Sequence, residues 1–113
     1  MKLPRKPAFR QKGLKGYALS LSNKKLEVYY VNVTQGHDTY IISKKCFHIY
    51  FVLDGKGFFD INTKKIKVKQ NSYIEVPPKV EYTYTGKMKL LLIMNPPWFK
   101  GNEKATRRNP IVK

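Results

Sequence analysis

His48 is the residue of this chain whose setting most favours acid–base chemistry. It lies in an apolar stretch, Phe47 to Leu53, and Tyr50 follows two positions later. Because side chains alternate between the two faces of a β-strand, His48 and Tyr50 share one face of this segment. An imidazole can accept or donate a proton near neutral pH, but one His does not supply the three or four ligands that a bound metal needs. His48 is therefore a candidate for proton transfer and not, alone, for a metal site.

The other histidine and the single cysteine carry weaker signals. His37 stands between Gly36 and Asp38, which is typical of an exposed turn, although a His coupled to an Asp could also act at the mouth of a barrel. Cys46 follows two lysines that could lower the pKa of its thiol, but we interpret it as core packing. One cysteine cannot form an internal disulfide, and we expect a reducing, cytoplasmic setting.

Short β-type segments fill the central part of the chain and must position these residues. They are separated by turn sequences such as Asp54-Gly55-Lys56-Gly57, Asn62-Thr63-Lys64 and Pro77-Pro78. No stretch has an apolar period of helical type. Strands separated by turns, without intervening helices, predict an all-β sandwich or barrel. A length of 113 residues predicts one domain.

The two ends of the chain differ from its centre in composition. Residues 1–16 are basic and interrupted by proline and glycine, and we interpret them as an N-terminal arm without regular helix. Residues 17–98 hold the β-type segments and form the predicted barrel. Residues 99–113 are polar and basic, which is typical of a mobile tail. No apolar run is long enough to span a membrane.

The charge of the chain is strongly positive. Lys and Arg number 23 against 7 Asp and Glu, a formal net charge of +16. Such an excess attracts anionic partners, including nucleic acid, acidic lipid surfaces and phosphorylated metabolites. One hypothesis is therefore a basic β-barrel that binds nucleic acid nonspecifically through its tails and an aromatic face, although strands favour Tyr and Phe in any case.

The stretch from Gly36 to Gly55 has the spacing of a known family motif. Gly36 is followed by Ile42, Lys44, His48 and Gly55. This order resembles the first motif of the cupin superfamily, in which Gly is followed by two His, a Glu and a second Gly.

A second stretch repeats the similarity. Asn71 is followed by Pro77, then by Lys79, Tyr82 and Gly86. This resembles the second cupin motif, which contains a Gly, a Pro-x-Gly turn, a third His and an Asn. Together the two stretches imply a single small jelly-roll-like β-barrel of cupin type over about Leu26 to Trp98.

The same resemblance implies that the metal ligands of the family are missing. Ile42, Lys44, His48 and Tyr82 stand where His, His, Glu and His would bind a divalent ion. An Ile side chain has no lone pair, and a Lys offers one only after losing its proton. We therefore expect no bound metal, no other cofactor and none of the family's metal-dependent oxygenase or isomerase activities.

What remains is a possible binding pocket inside the barrel. If the fold is cupin-like, the inward-facing candidates are Lys44, His48, Tyr50, Tyr82 and Tyr84. The resemblance to metal-free cupins that act on nucleotide-linked sugars implies His48 and Tyr82 as candidates for proton transfer. The expected ligand is a small anionic or sugar-like molecule, with catalysis undecided. In the alternative, His48 and Tyr82 hydrogen-bond inside a packed barrel and Lys44 points to solvent.

Two segments are apolar on both faces. In the first segment, one face carries Phe47, Ile49 and Phe51, and the other face carries Tyr50 and Val52. The segment from Leu90 to Met94 shows the same pattern. A strand that is apolar on both faces is covered on both faces. We predict that a second copy of the chain covers the outer face, giving a homodimer; the alternative cover is the N-terminal arm, through Leu3, Phe9 and Leu14. A purely structural dimerisation module is a further hypothesis.

Overall fold

In the part of the chain that the structure describes, nine antiparallel strands form one curled, barrel-like sheet. The computed structural model describes residues 2–113, and these contain no helix, hence none long and apolar enough to cross a membrane. The all-β barrel expected from the sequence is confirmed. The strands are β1 (Phe9–Gln11), β2 (Leu14–Ala18), β3 (Glu27–Val33), β4 (Thr39–Ser43), β5 (Phe47–Ile61), β6 (Lys64–Lys69), β7 (Tyr73–Val76), β8 (Tyr82–Asn95) and β9 (Glu103–Arg108).

The two longest strands, β5 and β8, pair along their whole length and form the spine of the barrel. Their register runs from Phe47 opposite Asn95 to Ile61 opposite Tyr82. Near the middle the strands approach very closely at Gly86. A Cβ there would lie 2.5 Å from the Lys56 carbonyl oxygen, and the φ of Gly86 is +137°. Only glycine meets both requirements, so this residue allows the sheet to curl.

The remaining strands extend this spine on both sides. β3 pairs with the second half of β8, while β7 and β6 pair with the first and second halves of β5. β4 contacts the start of β8 and pairs with β9 along its other edge. The inward-facing side chains of these strands form one core, which includes Val31, Val52, Phe59, Tyr82 and Leu90.

The sheet extends past both ends of the predicted barrel. β1 and most of β2 lie within residues 1–16, and β9 lies within residues 99–113. The tail segment also buries Asn102, Asn109 and Val112. Composition did not reveal these strands because all six residues of β9 are exposed, so its backbone pairing leaves no apolar pattern. The predicted division into arm, barrel and tail stays a prediction.

Candidate ligand-binding site

Four of the five predicted binding residues meet inside the barrel. His48 and Tyr50 come from β5, Tyr82 and Tyr84 from β8, and each is at most 2% exposed. The hydroxyls of Tyr50 and Tyr82 are 2.6 Å apart, and the rings of Tyr50 and Tyr84 are 5.3 Å apart. The alternation of side chains along the two long strands thus brings them together.

Lys44, the fifth predicted residue, lies on the outside. β4 ends at Ser43, and its buried side chains are Ile41 and Ser43 rather than Ile42 and Lys44. Ser43 Oγ accepts hydrogen bonds from the Cys46 amide and from the Asn102 side chain. These two bonds hold the face of β4 that carries Ile41 and Ser43 toward the interior. The prediction that Ile42 and Lys44 face inward is therefore wrong, because the alternation is shifted by one residue and Ile41 and Ser43 face inward instead. The ammonium group of Lys44 does not enter the barrel.

His48 is enclosed by aromatic rings and is a weak base. Its ring stacks on Tyr50 with 6.0 Å between centroids, and its Nε2 lies 4.0 Å from Oε1 of Glu103. Its Nδ1 has no well-formed hydrogen bond among the described residues. Burial lowers the pKa of His48 to about 4, an effect that the backbone of Cys46 opposes only in part. His48 is therefore neutral at pH 7.

A cavity of about 340 Å³ lies beside this aromatic cluster. Its size is within the range of small-molecule pockets. Tyr50 and Tyr84 line it, whereas His48 and Tyr82 lie behind them. The other lining side chains include Phe9, Gln11, Tyr29, His37, Ile41, Leu92, Met94, Trp98 and Glu103. None of the described lining residues is Lys or Arg, and burial raises the pKa of Glu103.

The loop before β4 places His37 in this cavity. Gly36 bridges to Thr85 of β8, and a Cβ on Gly36 would lie 2.4 Å from the Tyr84 carbonyl oxygen. The φ of Gly36 is +144°, a conformation that suits glycine. The next amide, that of His37, donates to the same Tyr84 oxygen over 2.9 Å. This close approach sets the His37 ring edge-on to Tyr84, with 5.8 Å between centroids.

The hydrogen bonds around His37 define its tautomer. The Asp38 amide can only donate, so the Gln11 atom that faces it at 3.1 Å is the oxygen Oε1. The Gln11 nitrogen Nε2 therefore faces Nε2 of His37, also at 3.1 Å, and donates to it. The shorter contact of Nδ1, 2.9 Å to the Thr39 carbonyl, then carries the ring proton, and the Thr39 amide nitrogen, 3.3 Å from the same Nδ1, does not bond to the ring in this tautomer. Nε2 of His37 is consequently an unprotonated acceptor.

The charge state of His37 agrees with this arrangement. Burial lowers its pKa below the usual 6.5, while the bond to the Thr39 backbone and the carboxylate of Asp38 oppose the shift. The carboxylate of Asp38 is 3.9 Å from Nδ1, so it does not bond closely to the ring. His37 is thus neutral at pH 7, and its Nε2 lone pair accepts the hydrogen bond from Gln11 at the cavity wall.

Sequence reasoning considered His37 for the mouth of the barrel but favoured an exposed turn, and it did not find the residues that support His37. Its neighbours have the composition of an exposed turn, yet its side chain is only 12% exposed. Gln11 reaches it from 26 positions away, and the buried Asn109 donates to its carbonyl oxygen over 2.9 Å. The one available signal for a buried His37 was Gly36. A glycine in a β-rich chain can mark a place where two backbones approach closely, and the residue next to it then lies near the interior.

The described residues hold no evident metal centre. Within residues 2–113, no three His, Cys, Asp or Glu side chains are grouped so that they could hold an ion. The absence of a metal from the purified protein stays a prediction from the replaced ligand positions.

Comparisons with known proteins support the fold by structure rather than by sequence. No protein-family model and no curated protein matches the chain. Among solved structures, Pac13 of Streptomyces, a nucleoside dehydratase, has a TM-score of 0.82 and 24% identity, covering 88% of this chain and 83% of that chain. KdgF of Halomonas has a TM-score of 0.70 and 10% identity, covering 81% of this chain and 86% of its own.

The cupin domain of Cnp3 from Schizosaccharomyces pombe is also similar, with a TM-score of 0.67 and 20% identity over 85% of this chain and 69% of that one. The chain has a cupin-type fold. At these identities the similarity concerns the fold of the domain. Pac13 has also been solved with uridine, in variants that replace one His by Gln or either of two Tyr by Phe.

Proposed function

We propose that the cavity of this cupin-type domain binds a neutral, nucleoside-like molecule and that His37 takes a proton from it. The observation that carries the proposal is a neutral His37, whose unprotonated Nε2 accepts a hydrogen bond from Gln11 and which lines a cavity together with Tyr50 and Tyr84. The proposed reaction is a dehydration that needs no metal.

The lining of the cavity favours a neutral ligand over an anionic one. A phosphate taken out of water needs a positive partner, and the described lining residues include Glu103 but no Lys or Arg. Aromatic side chains such as Trp98 and Tyr29 suit the flat face of a base, and the polar groups of Gln11 and His37 suit sugar hydroxyls. Of the two ligand types expected from the sequence, the sugar-like one fits better.

The groups needed for dehydration are present. Removing water across a carbon–carbon bond requires a base for the C–H proton and an acid for the departing hydroxyl. The Nε2 lone pair of His37 supplies the base once the substrate displaces the Gln11 amide that donates to it. Burial raises the pKa of Tyr50 and Tyr84, so both hydroxyls stay protonated and either could supply the acid. The substrate would carry a carbonyl next to that C–H bond, because a carbonyl makes the proton acidic enough to remove.

One similarity to Pac13 supports this assignment. The His and the two Tyr that are replaced in its uridine structures have the same spacing along that chain as His37, Tyr50 and Tyr84 have along this one. The same residue types at the same spacing on a similar barrel can occupy equivalent positions.

Calorimetric titration with uridine tests the proposal. Uridine should bind, and uridine monophosphate should compete for the same site at least about tenfold more weakly, because its phosphate would be buried without a counter-charge. His37→Gln should retain uridine binding but lose the dehydration of a β-hydroxy carbonyl nucleoside. Mass spectrometry measures this reaction as the loss of one water from the nucleoside. The exposed Lys44→Gln is the matched control and should change neither. Failure of uridine to bind, or equal competition by the monophosphate, would refute the proposal.

A further inference from the structure

A row of three lysines crosses the outer surface of the sheet. Lys56 of β5 is directly opposite Lys69 of β6 on one side and Lys87 of β8 on the other. All three are exposed. Neighbouring strands lie about 4.8 Å apart, so the three Cα atoms span only about 10 Å. Like charges directly opposite one another are destabilising, and a bound anion would relieve this repulsion.

The row is part of a groove of about 990 Å³. Lys65 and Lys67 also line it, and no Asp or Glu is among its described lining residues. The two acidic residues of β5, Asp54 and Asp60, are not among the described lining residues, and Asp60 accepts a hydrogen bond from the Tyr40 hydroxyl. The positive charge of the groove is therefore not neutralised by acidic residues within it.

An aromatic ring lies among these lysines. Phe58 is between Lys67 and Thr85 in the sheet and is 36% exposed. The ammonium group of Lys65 lies 4.9 Å from the centre of its ring. Exposed aromatic rings within a basic groove are the features on which single-stranded nucleic acid stacks its bases.

The groove and the cavity lie on opposite faces of the same strands. Phe59 and Tyr84 point inward and are buried, whereas their neighbours Phe58 and Thr85 point outward. A molecule in the cavity therefore leaves the groove free, and the two sites can be tested separately.

We propose that this groove binds single-stranded nucleic acid, with phosphates along the lysine row and a base on Phe58. Five lysines spread over three strands match a ligand with repeated charges better than a single phosphate group. The concave shape favours a chain lying within it over a flat lipid surface. Binding would depend on the phosphate backbone and be largely independent of sequence.

Fluorescence anisotropy with a labelled oligouridylate tests this site on the full chain. Three phosphate contacts predict about a 20-fold loss of affinity between about 50 and 200 mM salt. Replacing Lys56, Lys69 and Lys87 together by Gln should weaken binding at least about tenfold at low salt and flatten the salt dependence. The control replaces Lys24, Lys25 and Lys45 by Gln, which removes the same charge away from the groove and should have a much smaller effect.

Further variants separate stacking and folding from charge. Phe58→Ala should weaken binding, and Phe58→Tyr should retain it. The groove variant should melt at a higher temperature than the wild type without ligand, because the repulsion within the row is removed. Equal losses in the two triple variants, or binding to phosphatidylserine vesicles without binding to the oligonucleotide, would overturn the proposal. Neither outcome would affect uridine binding in the cavity.

Discussion

The two histidines show how surroundings decide what an imidazole can do. Burial lowers the pKa of both, so both are neutral near pH 7. Hydrogen bonds fix the proton of His37 on Nδ1 and leave Nε2 as an acceptor at the cavity. The same cannot be said of His48, whose Nδ1 lacks a well-formed hydrogen bond and whose ring is stacked on Tyr50 and tilted against Tyr82. Proton transfer is therefore assigned to His37, and His48 is expected to affect stability.

His48 should make the fold sensitive to acid. Its pKa is about 4 in the folded state against an ordinary value of 6.5. Between these values the unfolded chain binds a proton that the folded chain does not, so stability falls as the pH drops from about 6.5 to about 4. The loss should be on the order of 3 kcal/mol, levelling off below that window. Urea unfolding at a series of pH values measures it.

The variant His48→Asn isolates this contribution, because Asn does not titrate. Burial lowers the pKa of His37 as well, which acts in the same direction, while the raised pKa of Glu103 acts in the opposite one. Both groups remain in the variant. The difference in unfolding free energy between wild type and variant should therefore shrink as the pH falls; a difference independent of pH would contradict the assignment.

At the scale of the elements, the sequence predicts the strands whose burial leaves an apolar pattern in it. The predicted turn Asp54-Gly55-Lys56-Gly57 lies within β5 and is wrong. The first half of β5 and the second half of β8 were recognisable because both faces carry apolar residues, and the parity of β5 correctly placed His48 and Tyr50 on one inward face. β9 was not, because its side chains are exposed and only its backbone pairs with β4. The position of His37 depends on such segments, since Gln11 and Asn109 reach it from the two ends of the chain.

Asn109→Ala tests whether the C-terminal segment supports the site. Asn109 is 1% exposed, and its amide donates to the carbonyl oxygen of His37 over 2.9 Å. Its loss should lower the free energy of unfolding by about 1–3 kcal/mol, because the buried carbonyl oxygen of His37 loses a donor. It should also weaken uridine binding. Lys104→Ala, an exposed change in β9, is the control for both measurements. Unchanged stability and binding in the Asn109 variant would show that the segment does not position His37.

At the scale of the whole molecule, three surfaces with different chemistry are kept apart. The cavity lies inside the barrel, and its described lining has no Lys or Arg. The lysine groove lies outside, over the second half of β5 and its partners β6 and β8. The first half of β5 and the second half of β8 form an apolar outer face, in which Ile49 is opposite Ile93 and Phe51 is opposite Leu91. The net charge of +16 is thus unevenly distributed.

The N-terminal arm does not account for this apolar face. Leu14 is 2% exposed in the core, Phe9 lines the cavity, and Leu3 is 44% exposed. The outward side chains Ile49 and Ile93 are only half-buried. Of the two covers expected from the sequence, a second copy of the chain therefore fits better than the arm, and a self-complementary patch can form a two-fold interface.

We therefore predict a homodimer that Ile93→Arg converts into a monomer. Two subunits of charge +16 repel each other, but salt screens that repulsion beyond about 10 Å. Burying on the order of 800 Å² per partner, much of it apolar, should outweigh the rest. An arginine in the centre of the face would have to be buried without a partner, which costs more than the interface gains there. Sedimentation velocity at high micromolar concentration in moderate salt measures the oligomeric state. Leu3→Arg, which adds the same charge outside the face, is the control and should remain a dimer. A wild-type monomer under these conditions would refute the dimer.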